Sequence, residues 1–230
     1  MDSPIGVIGG LSPYSTILYY KFLVEVYREK KGVDPKIVIY SIPVQEMCRA
    51  AKEGDRQKAR ELLLTAFKGL HNAGAKTVLL AANTPHIFID NELLEQAGDI
   101  EFIDIREAVL RKLEKLGVSR IGLLATTSTI QNRLYQDYLE GKGYRVILPN
   151  PKAQERLQQV IEKLTQGLIP DSAKLVLATL VSELTGKGAQ AILYGCTELS
   201  LLIGRVKINR PIIDSLTEHV LYTMEKLIES

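Results

Sequence analysis

Ala189-Gln190-Ala191-Ile192-Leu193-Tyr194-Gly195-Cys196-Thr197-Glu198 reads as a buried strand that ends on a glycine and delivers a cysteine onto a turn. Its apolar run is short, continuous and bounded by turn residues, the pattern of a strand covered on both faces. An earlier stretch repeats it without a gap. Gly74-Ala75-Lys76-Thr77-Val78-Leu79-Leu80-Ala81-Ala82-Asn83-Thr84 lies over Gly188 to Glu198, with Gly74 on Gly188, Leu79 on Leu193 and Ala82 on Cys196. One copy carries a thiol where the other carries a methyl. A second correspondence joins Ile5-Gly6-Val7-Ile8-Gly9-Gly10 to Ile121-Gly122-Leu123-Leu124-Ala125-Thr126, each closing in a small-residue turn before a helix. Two matched strand and turn pairs predict a fold built twice.

Outward from these stretches, strands alternate with helical periodicity. Ser12-Pro13 caps a helix through Ile17, Tyr20, Leu23 and Tyr27, with Pro where it costs least. The β-branched run Lys36 to Tyr40 stops before Pro43, and a helix over Arg56 to Asn72 sets Ala59, Leu62, Leu63, Ala66 and Leu70 on one face. Thr77 to Ala81 is the next strand, followed by a helix to about Glu95 and a short strand at Phe102-Ile103. The cycle repeats with a strand over Arg120 to Leu124, a helix from Ile130 to Glu140 and a strand over Tyr144 to Leu148. The expected fold class is α/β, with two pseudo-symmetric domains, each a mostly parallel sheet flanked by helices. The expected boundaries are 1–98 plus 210–230 for the first domain and 99–209 for the second, with strand Pro211–Asp214 and helix Thr217–Ile228 returning to the first. In parallel sheets ligands lie beyond the carboxyl ends of strands. That places the turns Gly9-Gly10, Ala82-Asn83, Ala125-Thr126 and Gly195-Cys196 in view, with the substrate cleft expected between the domains.

Composition narrows the function classes. Among 230 residues, 29 basic side chains face 27 acidic ones, and their scatter leaves no phosphate-binding footprint, so no nucleic-acid partner is expected. Two cysteines, Cys48 and Cys196, exclude a disulfide scaffold and fit a reducing compartment. No leader-like or membrane-spanning run is present, so the protein is expected to be soluble and cytoplasmic.

Cys196 follows a glycine and precedes an expected helix at Thr197, where N–H groups and the dipole favour thiolate; the alternative is a small buried hydrophobe. Asn83, Thr84, Thr126, Thr129 and Thr197 offer donors suited to a carboxylate, although each alone also serves as a helix cap. His86 is expected to bond locally. With His71 and His219 it lacks the spacing of a metal cluster, so no metal is expected. Neither a dinucleotide fingerprint nor a Walker sequence occurs.

Gly9-Gly10-Leu11-Ser12 with Ser15-Thr16 and Tyr19-Tyr20, then Asn83-Thr84-x-His86, then Gly122 to Thr126, then Gly195-Cys196-Thr197-Glu198, resemble in order the aspartate/glutamate racemase superfamily, most closely its aspartate racemase branch. The resemblance covers essentially the whole chain. It implies a cofactor-independent, typically dimeric isomerase in which one cysteine from each domain moves a proton at a substrate α-carbon. By resemblance Cys196 is the second-domain cysteine, and Asn83, Thr84, Thr126, Thr129 and Thr197 hold the substrate carboxylate and amino group, with Leu11 and Ser12 lining the cleft. The chain departs from the pattern at Ala82, where the first cysteine would stand. It departs again at Thr165, where aspartate-handling members carry a lysine and Lys163 is the nearest cation, and around Cys48-Arg49, the place of an arginine. Three readings remain: a racemase with Cys196 as one base and a group such as Cys48 opposite it, a single-cysteine decarboxylase or lyase, and a small-acid-binding protein without turnover.

Overall fold

In the structure, a computed structural model that describes residues 3–229, the internal repeat appears as two sheets wound alike. The first contains β1 (Ile5–Gly9), β2 (Ile37–Ser41), β3 (Thr77–Leu80) and β4 (Glu101–Ile103), in the spatial order β2-β1-β3-β4. The second contains β5 (Arg120–Leu124), β6 (Arg145–Ile147), β7 (Ala191–Tyr194) and β8 (Ile212–Asp214), in the order β6-β5-β7-β8. All pairings are parallel, and the twin stretches occupy twin central strands, with Val7 paired to Leu79 and Leu123 to Leu193. Turns repeat as well. The N–H of Ala81 donates to Ile8 O and that of Gly195 to Leu124 O, both at 2.8 Å, while Ala75 and Ala189 each close a helix end with a 3.0 Å bond to Leu70 and Leu184.

Crossovers of the first sheet run through α1 (Pro13–Lys31), α2 (Val44–Glu53), α3 (Arg56–Asn72) and α4 (Asn91–Ala97). The apolar face of α3, with Ala59, Leu63, Ala66, Phe67 and Leu70, buries against Ile8, Val78 and Leu80. Each fully buried Leu there contributes about 2 kcal/mol of transfer free energy. Beyond α5 (Ile105–Leu116), the second sheet carries α6 (Thr127–Gln131), α7 (Leu134–Glu140), α8 (Pro151–Leu164) and α9 (Ala173–Gly186), and α10 (Ser215–Glu229) closes the chain. Leu157, Ile161 and Leu164 of α8, with Leu177, Leu180 and Leu184 of α9, pack on Leu124, Ile192 and Tyr194.

Two expectations are corrected. The chain divides into Met1–Ile105 with His219–Ser230 and Arg106–Glu218, not near residues 99 and 210. The reason is strand pairing: β4 bonds to β3, so it closes the first sheet, and β8 bonds to β7, so it closes the second instead of returning to the first. Only α10 makes the return. The single helix expected over Ile130 to Glu140 is two, α6 and α7, broken at Arg133, whose φ of 53° leaves the right-handed helical region. Among the described residues no helix is long and apolar enough to cross a membrane.

Candidate active site

In the second unit, β7 leads through Gly195 and Cys196 into a 3₁₀ turn, Thr197–Leu202, where an α-helix start was expected. Gly195 holds the backbone close to its neighbours: a Cβ there would meet Leu123 at 2.8 Å and the Tyr135 ring at 3.0 Å. Cys196 is extended, with φ −143° and ψ 123°, and its side chain is buried. The thiol donates to Glu198 Oε2 at 3.0 Å, and the Thr197 hydroxyl donates to the same oxygen at 3.1 Å. Of the two readings of Cys196, a thiolate and a small buried side chain, the structure favours the buried one. Burial first, and then the Glu198 carboxylate, push Cys196 well above the ordinary thiol range, outweighing the backbone N–H groups of Glu198 and Leu199 that act in the opposite direction. Cys196 rests as a neutral thiol aimed at a carboxylate.

Thr126 and Thr129 stand at the end of the neighbouring strand β5. Thr126 caps α6, accepting the Thr129 N–H at 3.1 Å, and the two hydroxyls lie 2.9 Å apart. Two glutamines of α8 brace this turn: Gln154 donates to Ala125 O at 2.9 Å and Gln158 accepts the Thr127 N–H at 2.9 Å. Lys163 and Thr165 are exposed at the opposite end of α8. At 1.5 Å per residue, Lys163 lies about 13 Å along the helix from Gln154.

The matching turn of the first unit is Ala81-Ala82-Asn83, followed by a 3₁₀ turn, Thr84–Phe88, and then by the separate helix α4, where one helix to about Glu95 was expected. Ala82 and Asn83 are buried, and Thr84 is half-buried. His86 pins this turn from beneath: its Nδ1 donates to Ala82 O at 2.8 Å and Asn83 O at 3.1 Å, which leaves Nε2 to accept the Ile105 N–H at 3.4 Å. The expected local bonding of His86 thus extends to a fully buried brace. At the end of β1, Ser12 caps α1 by accepting the Ser15 N–H at 3.4 Å, and Thr16 donates to Ser12 O and accepts from Gly10 N–H. Leu11 beside it is half-buried. Cys48 and Arg49 are both exposed on α2. Among the described residues no group of three or more His, Cys, Asp or Glu side chains is placed to hold a metal ion.

The arrangement in the second unit supplies a proton donor, a carboxylate to receive or return its proton, and hydroxyls beside backbone N–H groups. Glu198 is the residue that the sequence alone leaves without a role. Its position two residues after Cys196 was visible, but the turn that folds its carboxylate back onto the thiol was not.

A family model described as Asp/Glu/hydantoin racemase matches residues 8–223. The chain belongs to that family. The match takes in residues of both units. The chain is 25% identical over 216 residues to the broad specificity amino-acid racemase RacX of Bacillus subtilis, covering 92% of each chain. It is 30% identical to an aspartate racemase homologue from Pyrococcus horikoshii, with a TM-score of 0.84 over 99% of this chain and 100% of that one. A glutamate racemase of Francisella tularensis shares the fold at 20% identity, with a TM-score of 0.72 over 99% of this chain and 81% of that one.

Proposed function

We propose that this racemase-family isomerase moves a proton at the α-carbon of a small amino acid without a cofactor, and that it works from one face. The observation that carries the reading is the Cys196 thiol held 3.0 Å from Glu198 at a strand's carboxyl end, while the twin turn presents the methyl of Ala82. Glu198 takes the thiol proton, the thiolate so formed removes the α-proton, and the carbanion recovers a proton from the same sulfur. Thr197, Thr126 and Thr129 on the second unit, and Asn83, Thr84, Leu11 and Ser12 on the first, are the proposed substrate-binding residues. The protein is proposed to act in the cytoplasm as a homodimer, with no nucleic-acid or membrane partner.

Alanine carries no proton, and a positioned acid or base is worth on the order of 10² to 10⁴-fold. In deuterated buffer, α-proton exchange on one enantiomer is therefore expected to outrun net inversion by at least about 10²-fold. Cys196→Ala should abolish exchange, and Ala82→Cys should raise inversion towards the exchange rate. Equal exchange and inversion with both enantiomers in the unmodified protein would overturn the one-sided reading.

The neutral state of Cys196 favours a second reading: a resting thiol is already the donor that a decarboxylase needs to protonate a carbanion from one face. Loss of CO₂ from a malonate-type diacid with Ala82 in place, and no α-exchange of amino acids, would select it.

A further inference from the structure

Ligand sites are concave, with an apolar patch and a few polar groups that converge. The second unit holds such a hollow, of 470 Å³, beside its edge strand β8. One wall is a single face of α9, since Ala178, Val181, Ser182 and Thr185 recur at the spacing i, i+3, i+4, i+7. The other wall is the segment 207–210 that leads into β8. Val206 and Ile208 pack on the core of the second unit and hold that segment in place.

Every polar side chain of the lining can donate a hydrogen bond: the Lys207 ammonium, the Arg210 guanidinium, the Asn209 amide and the hydroxyls of Ser182 and Thr185. Among the described residues none of these five side chains has a hydrogen-bond or ion-pair partner. No carboxylate lines the hollow. Glu183, next to Ser182 in sequence, is engaged by Lys187 and Asn150. A larger hollow in the first unit, of 810 Å³, shows the contrast: it sets Lys31, Lys36 and Lys76 among Asp34, Asp99 and Glu101, and so selects neither sign.

We propose that the hollow between α9 and segment 207–210 binds a phosphate monoester. Two cations without an acid match a dianion. The planar fork of Arg210 takes two phosphate oxygens, Lys207 takes the third as a point charge, and Asn209, Ser182 and Thr185 add neutral donors. A carboxylate, with one charge and two oxygens, leaves donors of this set unused. Ala178, Val181 and Ile208 supply the apolar patch for the body of the ester, and 470 Å³ leaves room for it. The place is separate from the catalytic turn. Pro211 O accepts the Ile192 N–H at 2.9 Å, which puts Arg210 at the amino end of β7, and from Ile192 to Cys196 the chain runs about 13 Å. Two cations are too few to register in the composition, and only folding brings the α9 hydroxyls beside them.

The test reads binding, not activity, so it stands apart from the chemistry proposed above. In titration calorimetry of the full chain at low salt, phenyl phosphate should bind once per chain. Inorganic phosphate, which lacks the apolar body, and benzoate, which lacks the second charge, should each bind at least about 10-fold more weakly. Lys207→Ala and Arg210→Ala should each weaken phenyl phosphate at least about 10-fold, the usual loss of a charge-assisted contact. Both side chains are exposed and unpartnered, so the variants should fold, which circular dichroism verifies. Lys76→Ala in the first unit's hollow and Cys196→Ala at the catalytic turn should leave binding unchanged. Absence of binding at millimolar phenyl phosphate, indifference to Lys207→Ala and Arg210→Ala, or loss with Lys76→Ala or Cys196→Ala would overturn the site. Benzoate bound as tightly would overturn the dianion, and inorganic phosphate bound as tightly would overturn the ester in favour of free phosphate.

Discussion

At the scale of the residue, the Cys196–Glu198 couple carries opposite effects that one substitution separates. Beyond what burial does, the carboxylate's charge helps to keep the thiol protonated, and the carboxylate also accepts the proton that must leave before the sulfur can act as a base. Glu198→Gln removes the charge and the proton acceptor together. In a Cys48→Ser background, so that Cys196 is the sole thiol, thiolate absorbance should then develop at lower pH than in the parent. Exchange of the substrate α-proton should nevertheless fall on the order of 10²-fold, the usual value of a positioned base. If exchange rises in step with the thiolate fraction, Glu198 only suppresses Cys196 and relays nothing. Chemistry at this site would then be limited by thiol ionisation.

At the scale of the element, α1 shows what its sequence did and did not reveal. Both of its flanking glycines are left-handed, Gly10 at φ +82° and Gly32 at +74°, but their surroundings differ. A Cβ on Gly10 would lie 2.3 Å from Ile42 O, in the turn that carries the chain off β1, whereas one on Gly32 would meet nothing within 4 Å. Gly32→Ala should therefore cost only the left-handed penalty, about 1 kcal/mol, and Gly10→Ala should cost about 3 kcal/mol or more, because backbone must shift as well. Urea midpoints with unchanged slopes would read this difference directly, and equal losses would show that the turn at Gly10 yields. The helix itself was legible: Ser12, Pro13 and the apolar spacing announce it. So were β1, β3, β5 and β7, whose continuous apolar runs end in small-residue turns. The allegiance of β4 and β8 was not, because three-residue strands carry too little pattern and choose their sheet through pairing far along the chain. The 3₁₀ turns at Thr84 and Thr197 were read as α-helices for a similar reason: local caps look the same in both, and only tertiary contacts such as the His86 brace and the Glu198 bond decide.

At the scale of the whole molecule, the return of the chain to its first unit has no counterpart in the repeat. Helix α10 begins in the second unit and belongs to the first from His219 onward. His219 fixes that return. Its Nε2 donates to Ile103 O at 2.8 Å, and Nδ1 then accepts the Tyr19 hydroxyl at 3.0 Å, with the His86 ring 5.9 Å away. Burial, and then the neighbouring His86, push His219 down to about 3. An unfolded histidine titrates near 6.5, so between about pH 6.5 and 3 the unfolded chain takes up a proton that the folded chain refuses. The stabilisation from neutral His219 is thus complete above pH 6.5 and is lost as pH falls, by up to about 1.4 kcal/mol per pH unit. Urea unfolding followed from pH 7.5 to 4.5 should show this slope. His219→Gln keeps an N–H for Ile103 O but has nothing to protonate, so its stability should be lower at pH 7.5 and its acid slope flatter by about one proton. A variant that retains the parent's slope would show that the histidine at the chain's return is not what makes the fold acid-labile.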